Sequence, residues 1–180
     1  MIHIVAGIVS LVQYLQLLKD DPESYRPEFC PHCAKAGLWH HGFRYRKADR
    51  DNNNCTSSLN PIPILRFYCP ACEHTCSVLP ECIPPRRWYL WCVQQLVIIK
   101  LLSGISVNTT SHTYSPSRST CRRWWYRLKE EFLGHAHALR SFFSELGQCQ
   151  SINEFWPACL EKISFARAML LCHQHGVVIP

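Results

Sequence analysis

Acidic side chains are almost missing from residues 86–133, where Glu130 and Glu131 stand alone against eight Lys and Arg residues. The rest of the 180-residue chain is balanced, so the whole net charge of +6 falls in this one stretch. A positive field concentrated in this way attracts polyanions, although a solvated helix face gives the same count. A second absence is a long apolar run. Residues 1–18 are apolar but are broken by His3, Gln13 and Gln16, and run into Lys19-Asp20-Asp21-Pro22. They lack a basic leader and a small-residue cleavage site, which argues against a signal peptide, and they are too interrupted for a membrane span. Their stripe of Ile4, Ile8, Leu11, Leu15 and Leu18 predicts an apolar N-terminal helix over 1–20. The expected setting is a reducing cytoplasm, where paired thiols serve metals more often than disulfides.

Against those absences stand twelve cysteines. Two pairs repeat one device, Cys30-Pro31-His32-Cys33 and Cys69-Pro70-Ala71-Cys72. Two residues between thiols let both sulfurs of a pair point to one place, and two such turns complete the tetrahedron that structural Zn²⁺ accepts. Cys30, Cys33, Cys69 and Cys72 are therefore the expected Zn²⁺ ligands. The aromatic run 38–45 follows the first pair, while 64–68 and 76–79 flank the second. All three predict short antiparallel strands, giving a zinc ribbon over 28–82 with a polar turn at 47–61. Four thiols close the coordination sphere, whereas catalytic zinc keeps a position open. The H-x-E and P-C-x-x-C pattern of the zinc deaminases is missing. Cys76 and Cys82 could replace a ligand or serve a second site, and Cys76 is expected to be buried in the following strand. His32, His40, His41 and His74 lie nearby and are expected to be non-ligands.

Pro84-Pro85 break the chain and open a long apolar helix that ends before Gly104. The polar stretch 106–114 is poor in helix formers and is expected to be short or irregular. Ser115 and Pro116 then suit the N-cap and first position of a basic helix reaching about Leu133. Cys121, Trp124, Trp125, Leu128 and Phe132 form its apolar stripe. Helix, short helix, turn and basic helix is the plan of a helix-turn-helix over 84–133, in which the last helix enters the DNA major groove. Ser117, Arg118, Ser119 and Arg122 are then candidates for base edges, with Arg suited to guanine. Arg86, Arg87, Arg123, Arg127 and Lys129 are candidates for phosphates. Residues 134–180 predict a helical tail of two helices, about 135–146 and 152–174. The expected class is α+β: a small N-terminal ribbon, a mostly helical DNA-binding region and a helical tail.

These residues, together with Arg66-Phe67-Tyr68, Val78-Leu79-Pro80-Glu81, Pro85-Arg86-Arg87-Trp88-Tyr89 and Ser117-Arg118-Ser119-Thr120, resemble the zinc-ribbon and helix-turn-helix proteins of bacterial insertion sequences. The resemblance covers roughly 25–135 and implies double-stranded DNA as partner, a role in transposition, and a cytoplasmic, nucleoid-associated protein. A homo-oligomer or a separate transposase would be a further partner. Ala34 departs from the glycine that such knuckles usually carry. The 134–180 segment offers only Glu145, Glu154 and Glu161. That is too little for the carboxylate-bearing strand-transfer core, whose domain exceeds about 100 residues. The expectation is an accessory or truncated transposase without enzymatic activity. The rivals are a zinc-dependent protein-interaction module, a regulator unrelated to transposition, and a thiol enzyme.

Overall fold

Ile2-His3-Ile4-Val5 forms a strand, β1 (Ile2–Val5), where the sequence predicts the start of a helix. Three of these four residues are β-branched, and such residues pack better on a pleated sheet than in a helix. Gly7 turns the chain at φ 85°, in the left-handed region that glycine enters without strain. The helix α1 (Leu11–Asp20) begins only after Ser10, whose Oγ accepts from the Gln13 amide. The computed structural model describes residues 2–47, 59–85 and 89–179. Among these the fold is α+β, with four strands in one sheet and seven helices.

The chain divides into two units, Met1–Leu90 and Trp91–Pro180. In the first, β2 (Trp39–Arg46), β3 (Ile62–Tyr68) and β4 (Thr75–Pro80) follow the expected positions. The sheet order is β1-β4-β3-β2. The β2–β3 and β3–β4 pairs are antiparallel, but β1 lies parallel to β4. The sheet is thus larger than the wholly antiparallel ribbon expected. Ile62, Ile64, Leu65, Phe67 and Val78 are all at or below 1% exposure, so both faces of the middle of β3 are covered. Tyr14 of α1 joins this core and donates its hydroxyl to the Pro63 carbonyl at 2.9 Å. Most of the predicted turn at 47–61 lies outside the described residues.

The second unit is helical. α2 (Trp91–Leu102) starts later than the Pro84-Pro85 signal suggests and ends, as expected, before Gly104 at φ 81°. α3 (Val107–Thr113) is a regular helix despite its polar sequence. Ser106 Oγ accepts from the Thr109 amide, and the Thr110 and Thr113 hydroxyls donate back to the carbonyls of Ser106 and Thr109. Those groups satisfy each other locally, while Thr110 is buried. α4 (Arg118–Glu130) is capped by Ser117 rather than Ser115, through the Thr120 amide.

The tail forms α5 (Phe132–Arg140), a short 3₁₀ turn over Ser144–Gln148, α6 (Ile152–Lys162) and α7 (Phe165–Gln174). It is three helices rather than two, because Ser164 starts a new one by accepting from the Arg167 amide. Nor is it a separate piece: α2 packs against α3, α4, α6 and α7. Trp91 meets Phe165 edge to face at 5.8 Å, and the Phe165 amide donates to Gln95 Oε1. Trp156, Phe155 and Phe165 fill the interior.

His135 is fully buried beside Trp156 and donates Nε2–H to the Val178 carbonyl at 3.0 Å. Burial holds its pKa below the ordinary value. The folded chain therefore keeps this ring neutral, while the unfolded chain takes up the proton first as pH falls. Its contribution to stability is complete above about pH 6.5 and is lost progressively below that value. We predict that melting temperature falls with acidification below pH 6.5 and that His135→Gln flattens the slope. Equal slopes in variant and parent, measured by circular dichroism, would remove this assignment.

Candidate metal centre

Each Cys-Pro-x-Cys pair sits in a turn tied by its own backbone. The Ala34 amide donates to the Cys30 carbonyl, and the Cys30 amide donates to the Lys35 carbonyl, both at 2.8 Å. In the second turn the Glu73 amide donates to the Cys69 carbonyl, and the Cys69 amide to the His74 carbonyl, both at 2.9 Å. The two turns are the same device in backbone as well as in sequence. Ala34 and Glu73 occupy equivalent places, four residues after the first cysteine, and both take φ 58°. That left-handed conformation costs a non-glycine residue about 1 kcal/mol, which explains why glycine was expected there.

The four sulfurs converge. Cys30, Cys33, Cys69 and Cys72 Sγ all lie within 4.8 Å of one another. Cys30 and Cys72 are 3.7 Å apart, as are Cys33 and Cys69. The edge of a tetrahedron with metal–sulfur bonds near 2.3 Å is about 3.8 Å. The four side chains could therefore hold one metal ion with little adjustment. The His32 amide donates toward Cys30 Sγ at 3.4 Å and holds that thiol down to about 6. Burial pushes Cys72 up instead, to about 12. A cation at the centre would reconcile the two by favouring the thiolate at every ligand. Cys30 and Cys69 are buried, and all four sulfurs adjoin the hydrophobic core of the first unit, so the site is continuous with the packing beneath the sheet.

Cys76 lies in β4 opposite Phe67 and is buried, as expected, outside the sulfur cluster. Its thiol is pushed up by desolvation. Cys82 lies outside the cluster as well. Among the described residues no disulfide forms. Two groups that the sequence reading set aside come together at the rim. His32 and His74 stack at 3.9 Å with their planes 13° apart, joining the two turns. Their ring nitrogens and Cys72 Sγ also lie within 4.8 Å of one another. In parallel rings the nitrogen lone pairs lie in separate planes and do not point at a common ion. His74 Nδ1 is further engaged by the Cys72 carbonyl at 2.5 Å. The stack is a clasp between the turns, and its only trace in the sequence is one histidine inside the first pair and one two residues after the second.

The candidate DNA residues fall on α4 and its cap. Ser117, Arg118, Ser119, Arg122, Arg123 and Lys129 are exposed, and Arg127 is half-buried. Cys121, Trp124 and Leu128 form the buried stripe. Trp125 is half-buried, one step round the helix, and carries the Lys129 ammonium 5.4 Å from its ring centroid. Phe132 belongs to α5 and not to this helix. Arg122 lies over Tyr126 at 5.6 Å. Arg86 and Arg87 lie outside the described residues.

A family model described as a domain of unknown function, DUF6431, matches residues 30–124. The chain belongs to this family. The matched DUF6431 segment opens on the first cysteine of the cluster, Cys30, and closes at Trp124, within α4. It includes all four converging cysteines together with α2 and α3, and leaves out Arg127, Lys129 and the tail. No curated protein and no solved structure matches the chain.

The geometry predicts one divalent ion per chain, lost on replacing Cys69 by Ser and retained on replacing Cys76 by Ala. Metal analysis after gel filtration measures both. Loss in Cys76→Ala, or retention in Cys69→Ser, would refute the assignment of ligands. Replacing Ala34 by Gly relieves the left-handed backbone and is expected to stabilise the metal-loaded chain by about 1 kcal/mol in denaturant unfolding.

Proposed function

We propose that the chain is a zinc-stabilised DNA-binding protein, and that the helices α2, α3 and α4 act as a helix-turn-helix with α4 in the major groove. The observation that carries this reading is the division of α4. Cys121, Trp124 and Leu128 turn inward, while Arg118, Arg122, Arg123 and Lys129 are left in solvent. α3 packs on both α2 and α4, and residues 114–117 form the turn between them. The first turn of α4 holds no acidic residue, so its helix dipole and its arginines have the same sign toward a phosphate backbone. Ser117, Arg118, Ser119 and Arg122 are at the end that a recognition helix presents to base edges.

Zn²⁺ is the ion we assign to the four thiols, because soft thiolates at tetrahedral spacing suit it and four of them close its sphere. Its role is to hold the first unit folded, not to activate water. The resemblance to insertion-sequence proteins supports an accessory or truncated transposase, without enzymatic activity, bound at element ends or at the element's own promoter. Such a protein would work in the bacterial nucleoid, beside a separate transposase or a second copy of itself. Among the described residues no helix is long and apolar enough to cross a membrane.

A second reading, a protein-interaction module, draws on Leu96 and Ile99 of α2, exposed at 47% and 38%. Ile99 borders a hollow of about 480 Å³ lined also by Gln95, Leu102, Pro157 and Leu160.

Duplex affinity decides between the two. With five cations on phosphates, counterion release weakens binding roughly 500-fold between about 50 and 200 mM salt. Fluorescence anisotropy with labelled duplexes measures this, and a salt-insensitive affinity favours the second reading. Arg118→Ala with Arg122→Ala should erode discrimination between duplex sequences. Arg127→Ala with Lys129→Ala should weaken all sequences alike. Uniform losses in both pairs would limit α4 to phosphate contact.

A further inference from the structure

The strand β2 is oddly wasteful for a surface strand. It lies at the edge of the sheet, yet Trp39, Phe43 and Tyr45 are exposed at 62%, 44% and 66%. Exposed aromatics on an edge strand invite aggregation and are normally replaced by charge or covered. Here charge is interleaved with them. Residues 29–47 contain Lys35, Arg44, Arg46 and Lys47 and no acidic residue. Arg44 and Lys47 are exposed, as are His40 and His41.

The register gives the arrangement. His40, Phe43 and Tyr45 pair with Phe67, Leu65 and Pro63 of β3. Those partners alternate along β3, so the three rings line one face of the sheet. A bulge between His40 and Phe43 makes this possible, because it inserts the step that brings both rings to the same side. His40 and Phe43 meet edge to face at 5.6 Å. Trp39 pairs instead with Tyr68, its ring centroid 6.4 Å away.

We infer that β2 is a platform for single-stranded DNA, in which Phe43 and Tyr45 stack on unpaired bases and Lys47, directly after the strand, holds a phosphate, while Arg44 faces the other side of the sheet. Rings that accept any base, with a cation beside them, are the two parts such a site needs. A duplex hides its base faces and offers these rings nothing to stack on. A protein partner would need an apolar face and acidic side chains together to match a stretch with four cations and no carboxylate, whereas single-stranded DNA carries bases and phosphates along its whole length. The choice of DNA over RNA rests on the duplex-binding reading above, but the surface does not include α4, and the two can fail separately.

The test uses the zinc-loaded full chain and three fluorescein-labelled probes: a dT oligomer of about 12 nucleotides, the matching rU oligomer, and a duplex. Phe43→Ala with Tyr45→Ala should weaken dT binding roughly tenfold or more and leave duplex binding within about twofold. Arg127→Ala with Lys129→Ala should do the reverse. Tyr45→Phe keeps the ring and should keep dT affinity. Metal content and circular dichroism verify folding, and Tyr45→Ser alone replaces the double variant if that variant loses its metal. Unchanged dT affinity in a folded ring variant overturns the platform. Tighter rU than dT binding overturns the assignment to DNA. A ring variant that turns a dimer into a monomer, with dT affinity intact, assigns the strand to a second copy instead. Loss of dT binding alone in the ring variant, with duplex binding untouched by the α4 pair, keeps the platform and removes the duplex reading.

Discussion

The first unit depends on four sulfur atoms occupying one small volume. Four thiolates within 4.8 Å repel one another strongly where Cys30 and Cys69 are almost dry, and four thiols make only weak hydrogen bonds there. A divalent cation changes the sign of the problem, turning mutual repulsion into a common attraction. The backbone already leans that way. Its amides aim at carbonyls within each turn and at Cys30 Sγ, and two residues accept left-handed φ to close the turns. Because the same cysteines belong to or pack against the core cluster that holds Leu38, Phe67 and Tyr25, an ion held there would couple its coordination to the apolar packing. The sheet then has a reason to be stable at modest size.

The second unit rests on a different device. Its helices are short, and α3 has a sequence that would not be helical alone in water. Packing supplies what propensity does not. Thr110 is buried and bonded to Ser106, and α3 is held between α2 and α4. α2 in turn is placed by the tail, through Trp91 on Phe165 and Gln95 on the Phe165 amide. A segment that reads as an appendage is therefore part of the support for the basic helix. Removing it would expose the buried faces of α2 and leave α4 without a fixed platform.

What could be read in the sequence was what repeats or alternates. The paired cysteines gave the site, since their spacing is itself the geometry. The helical period of Cys121, Trp124 and Leu128 gave the inward face of α4 and the arginines between them the outward one, but the same period also claimed Trp125, which is half-buried, and Phe132, which belongs to α5. The N-terminal strand was hidden because Ile4 and Ile8 fit a helical spacing as well as a sheet, and only β1's pairing with β4 decides between them. The Ser117 cap was masked by Ser115-Pro116, an equally good local signal. The His32–His74 clasp and the aromatic face of β2 were invisible for a deeper reason. Both are products of register, of one turn facing another or one bulge resetting a strand, and a chain without coordinates does not state register.

The two cationic surfaces are built on opposite principles. On α4 the cations project from a helix whose apolar residues face inward, so exposing the charge costs no apolar burial. On β2 the apolar rings themselves are exposed, and the sheet forgoes the stabilisation that burying them would bring. That sacrifice is tolerable only because the first unit does not rely on those rings. Its core is closed by Leu65, Phe67 and Val78 on the inner strands, and its two turns bring four sulfurs together beside that core. A sheet closed by its inner strands can leave an edge strand undercommitted to the fold, and the exposed rings of β2 are what that freedom leaves at the surface.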